Sequence, residues 1–129
     1  MNITLNKIIY AGLFFLLIFL SGFWLSRSGK PYGALLFNLH KLIGLGVGVY
    51  LALTVYRSHQ AAPLSPLQLA LLAATAMVFV VLVVAGGLLS AHAEGSLRSL
   101  SPTMVAALTL AHHLLPYLAV LGAATTLAL

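Results

Sequence analysis

Cysteine is absent from the 129 residues, which removes disulfides, thiolate metal sites, iron–sulfur clusters and covalent c-type haem attachment. Acidic residues are almost absent too: Glu94 is the single carboxylate side chain. A carboxylate pair for general acid–base catalysis is therefore missing, and no Asp or Glu stands ready to orient a serine–histidine couple. The lack of a membrane carboxylate also sets the chain apart from small multidrug exporters. Charged residues make up 5% of the chain, against about 25% in soluble domains, while 62% is hydrophobic. The six basic residues, Lys7, Arg27, Lys30, Lys41, Arg57 and Arg98, are scattered singly at the ends of apolar runs. That is membrane-flanking charge, not a phosphate-binding face, so the net charge of +5 does not indicate nucleic acid.

What remains is apolar sequence long enough to cross a bilayer four times. The expected class is all-α, a single transmembrane domain with helices at about 8–25, 31–56, 66–90 and 102–128, connected up-down-up-down by short loops. The first run carries Lys7 ahead of it, like a signal peptide. Its apolar stretch is longer than a signal core and no small-x-small cleavage pattern follows, so a retained helix is expected. Pro31 and Pro102 suit the first turns of helices two and four, and Ser65-Pro66-Leu67-Gln68 reads as a capping box. No soluble domain, low-complexity tail or internal repeat stands out.

The charge-free part of the second helix, Leu42 to Tyr56, is only 15 residues, or ~22 Å, against a hydrocarbon thickness of about 30 Å. A spanning helix must then extend back past His40 and Lys41, placing both inside the membrane. Loops one and three share a side with Arg27, Lys30 and Arg98, with Lys41 just below, whereas Lys7 and Arg57 lie opposite. The positive-inside rule places the more basic side in the cytoplasm and both termini outside.

Polar rings in hydrocarbon point to function. His40 lies nine residues after Pro31, His112 ten after Pro102, and His113 one further. Counted from those prolines, the three lie at ~14, ~15 and ~17 Å, a single layer on two helices of the same direction. Helices two and four are diagonal neighbours, roughly 11–14 Å apart, a span that two imidazoles with a metalloporphyrin between them would fill. Gly44 and Gly48 follow His40 on its face and would let a flat ring approach the backbone. Pro116, Ala119 and Ala123 follow His112, a smaller set than Tyr117, Val120 and Ala124 after His113. This favours His112 as the ligand and leaves His113 as the alternative. Lys41 and Arg98 are candidates to meet anionic propionates, with Arg27 and Lys30 suited to interface anchoring. His92, close to Glu94, could line a quinone or proton site on the basic side, or a solvated helix end; His59 receives no role.

Four helices with intramembrane histidines on the second and fourth, within Asn38-Leu39-His40-Lys41-Leu42 and Ala111-His112-His113-Leu114, resemble the small four-helix bis-histidine b-type membrane cytochromes, a group with bacterial quinol-linked members. The resemblance implies one haem b with axial ligands His40 and His112, and electron exchange with a quinone or a partner redox subunit. It further implies residence in a bacterial inner membrane, with oligomerisation left open. Many members hold two haems on two histidine pairs. This chain lacks a second pair, which leaves any crossing of the membrane by electrons to a partner's cofactor. Any enzymatic activity would be that of an oxidoreductase component. Two alternatives stay open: a cofactor-free structural or assembly subunit whose histidines are interhelical hydrogen-bond partners, and a small proton channel or transporter using them as a relay.

Overall fold

The computed structural model describes residues 3–128. All described regular structure is α-helical, in four helices: α1 (Ile3–Ser28), α2 (Ala34–Ala61), α3 (Pro66–Ala93) and α4 (Pro102–Ala128). Each is long and apolar enough to cross a membrane, which marks the chain as an integral membrane protein. Helical geometry is the natural outcome, since a lipid-exposed backbone must satisfy its own N–H and C=O groups.

Helix starts follow local chemistry. The Ser65 hydroxyl accepts from the Gln68 N–H while the Gln68 side chain accepts from the Ser65 N–H, with Pro66 at the first helical position. The α4 start repeats half of this, the Met104 N–H donating to the Ser101 hydroxyl. Pro31 does not begin α2, contrary to expectation. Gly33 is the N-cap, in an extended conformation, and Tyr32 ahead of it stacks on Phe37, 5.7 Å between centroids. The other ends run past the charge-free cores. Lys7 falls within α1, and its ammonium reaches the Ser58 hydroxyl on α2 at 3.0 Å. α2 extends to Ala61, so His59 lies in its last turn rather than in a loop; its Nδ1 accepts from the Leu64 N–H. α3 closes on Gly95, whose φ of 79° lets the Gly95 and Ser96 N–H groups turn back to the His92 and Ala91 carbonyls.

The bundle is two hairpins. α1 packs along α2, α3 packs still more closely along α4, and α1 meets α4 where the hairpins join. Phe15, Val47, Ala119 and Ala123 form the buried centre, with Phe14, Ile18, Phe19, Phe79 and Leu82 around them. Lipid is as apolar as leucine, so close contact rather than exclusion from water drives this association, and small residues at the crossings permit it. Gly122 receives the Thr75 side chain so closely that a methyl there would overlap its hydroxyl, and Gly44 receives Ile18 of α1. Hydroxyls inside the apolar layers satisfy themselves: Thr54, Thr75 and Thr109 each donate to the carbonyl four residues back at 2.8 Å.

A correspondence invisible in sequence emerges between the hairpins. Sixty-four residues separate Phe15 from Phe79, Ile18 from Leu82 and Gly22 from Gly86; seventy-two separate His40 from His112 and Val47 from Ala119. Phe15 and Phe79 pack together at 6.2 Å across the join.

Candidate functional site

His40 on α2 and His112 on α4 face each other, with ring centroids 6.3 Å apart and ring planes 71° from parallel. Each ring leans on a glycine of the preceding helix in its own hairpin. A Cβ on Gly22 would lie 3.0 Å from His40 Cε1, and one on Gly86 would lie 2.8 Å from His112 Cε1. Both spacings are closer than ordinary contact, so a side chain at either position must push the imidazole aside. Glycine here supplies the seat of a ring.

Six residues separate His40 from the start of α2 and ten separate His112 from the start of α4, or ~9 and ~15 Å along the helices. The rings nevertheless meet. Helices of one bundle need not begin in one plane, and the similar counts of nine from Pro31 and ten from Pro102 are not what brings them together.

Nitrogen partners complete the geometry. His40 Nδ1 lies 3.0 Å from the hydroxyl of buried Ser21, which in turn donates to the Ile18 carbonyl at 3.0 Å. His112 Nδ1 is buried with no hydrogen-bond partner. Pro116, four residues on, has no N–H to give the His112 carbonyl, which loosens the helix one turn below the ring. Below this layer Phe19 meets Tyr117 at 5.3 Å, and the Phe15–Phe79 contact closes the bundle further down.

The other candidates lie elsewhere. His113, adjacent in sequence, is rotated by one helical step and is exposed on the outer surface of α4. Gly44 faces Ile18 of α1 rather than the gap between the imidazoles, and a Cβ on Gly48 would meet nothing within 4 Å. Lys41 is exposed, its ammonium 4.0 Å from the centre of the Phe37 ring one turn nearer the basic side. Arg98 is exposed in the α3–α4 loop, its guanidinium against Gly95. His92 Nδ1 donates to the Leu97 carbonyl at 2.8 Å, and the Ser90 hydroxyl donates to Glu94, so both residues of that pair brace the end of α3. Gly22, Gly86 and Ser21 escaped sequence reasoning, which followed only the histidine-bearing helices. The available signal was a small residue one helix earlier, and it cannot be aligned with its histidine without the packing.

Two facing imidazoles limit the chemistry. Among the described residues no three of His, Cys, Asp or Glu converge. A zinc-type site wants three or four protein ligands. Two nitrogen donors suffice for a metal that brings its other ligands with it.

Comparison with known proteins gives no match, whether to protein families, to curated proteins or to solved structures, so function must be argued from this site.

Proposed function

We propose that the chain is a one-haem b-type membrane cytochrome, with His40 and His112 as axial ligands, serving electron transfer in a bacterial inner membrane. The spacing of the two rings carries this reading. Two axial nitrogens ~2 Å from one iron, each about 1 Å from its own ring centre, put the centroids about 6 Å apart. The rings of His40 and His112 stand at 6.3 Å, supplied by different hairpins. A direct hydrogen bond between two imidazoles accounts for less, since the Nδ1 of His40 is already engaged by Ser21 and that of His112 has no partner.

Bound between these residues, haem supplies reversible one-electron chemistry. The chain's part is to hold both rings by their Gly22 and Gly86 seats and to keep water away through the apolar layers on either side. The bases on the side of loops one and three, Arg98 and Lys41 among them, suit anionic propionates. Electron donors and acceptors of the fitting class are a lipid-soluble quinol or quinone and a partner redox subunit. His59, at the opposite end of α2, has no second histidine with which to form another axial pair.

The decisive experiment is an absorption spectrum of the protein purified from haem-replete cells, before and after dithionite. The expected result is a six-coordinate, low-spin spectrum at one haem per chain, abolished by His40→Ala and by His112→Ala and kept by His113→Ala. A colourless protein with intact helicity would refute the proposal and leave the structural-subunit reading.

A further inference from the structure

The two imidazoles are seated alike but not braced alike. On α1, Ser21 is buried, and its Oγ lies 3.0 Å from both His40 Nδ1 and the Ile18 carbonyl. A serine hydroxyl has one proton to give. With that proton given to the Ile18 carbonyl, the Ser21 oxygen accepts and His40 carries its proton on Nδ1, the assignment adopted for the pair. The proton on Nδ1 leaves Nε2 with an available lone pair. On α3 the corresponding position, sixty-four residues on, is Ala85, also buried and without a hydroxyl. His112 Nδ1 is correspondingly buried without a partner.

We propose that Ser21 is the positioning residue of His40, fixing its tautomer and ring orientation so that Nε2 is presented to the gap, and that Ala85 leaves His112 the looser of the pair. The inference rests on the axial-pair reading for its consequence, but not for its geometry. A hydrogen bond to the far nitrogen strengthens a ligating imidazole as an electron donor and fixes its orientation. The chain therefore holds one well-braced and one weakly braced ring, and the electron-donating strength of the pair is set mainly from the α1–α2 side.

The test is nitrogen-15 NMR of histidine-labelled protein in lipid nanodiscs, prepared from haem-depleted cells, with resonances assigned by removing single histidines. His40 is expected to favour the Nδ1–H tautomer about fivefold or more, the ratio that one net hydrogen bond of ~1 kcal/mol sustains. S21A should bring that ratio close to one, S21T should restore it, and A85S should give His112 the tautomer preference of His40. In haem-loaded protein, S21A should raise the reduction potential and A85S should lower it, with the low-spin spectrum kept. If S21A leaves both the His40 tautomer ratio and the potential unchanged, the proposal is overturned even though haem binds. If the tautomer responds as stated while no haem is taken up, the positioning role stands and the cytochrome reading falls.

Discussion

Gly86→Ala is the sharpest perturbation the site allows, because it adds one methyl group and nothing else. The new Cβ would stand 2.8 Å from His112 Cε1, whereas ordinary contact begins at 3.4 Å, so the ring must yield by about 0.6 Å. Overpacking of this kind costs ~1–3 kcal/mol, and the better helix propensity of alanine returns up to ~1 kcal/mol, leaving a net loss of ~0–2 kcal/mol. The neighbouring Gly87→Ala is the internal control: a Cβ there meets nothing within 4 Å, so the same propensity gain arrives without a collision. Stability is read as loss of helicity under increasing denaturing detergent, and ligation as the absorption spectrum of the haem-replete protein. Gly86→Ala should be the less stable of the two and should lose or weaken six-coordination, while Gly87→Ala keeps both. Two variants indistinguishable in both assays would show that the seat under His112 is not what positions the ring, and the geometric argument for the site would fail with it.

Other expectations are independent of the cofactor. Gly122→Ala should loosen the α3–α4 hairpin, because its methyl overlaps the Thr75 hydroxyl, and Thr75→Ala in the same chain should recover part of the loss; a strictly additive double variant would refute the contact. Ser65→Ala removes the α3 cap and should cost ~1 kcal/mol in the same unfolding titration. Because the chain has no cysteine, single cysteines report sidedness cleanly: one at Ser96 should react with an impermeant thiol reagent only from the cytoplasmic side and one at Ala62 only from outside, the reverse pattern refuting the charge argument.

The four spans were legible because hydropathy over twenty residues is a strong, local signal, and so was the α3 start, whose capping box is written in four adjacent residues. The start of α2 was not legible. Pro31 is compatible with a first helical turn, and only the extended backbone at Gly33 decides against it. Within the site, the histidines announced themselves by being polar in apolar surroundings, and the smaller residues below His112 pointed away from His113, which the structure places on the exposed side. The purpose of Gly44 and Gly48 was not legible, because identical glycines serve either to admit a neighbouring side chain, as Gly44 does for Ile18, or to leave room for a ring, and sequence does not say which. Ser21, Gly22 and Gly86 act across an interhelical gap, so their meaning exists only once α1 lies on α2 and α3 on α4.

The placement of the two rings also says how the site forms. His40 and its seat belong wholly to α1 and α2, and His112 and its seat wholly to α3 and α4. Each hairpin closes over a short loop, so each half-site is built from contacts within one hairpin. The pair exists only when the hairpins join, along α1 and α4 and through the Phe15–Phe79 contact. A ligand gripping both rings binds the joined state and not the separated one, and stabilises it by mass action. The cofactor of the proposed function would thus act as a bond between two similar halves. Removal of either ring should therefore weaken the joined bundle far more in haem-replete than in haem-depleted protein. A His40→Ala variant that loses equal stability in both would show that the imidazoles serve packing alone.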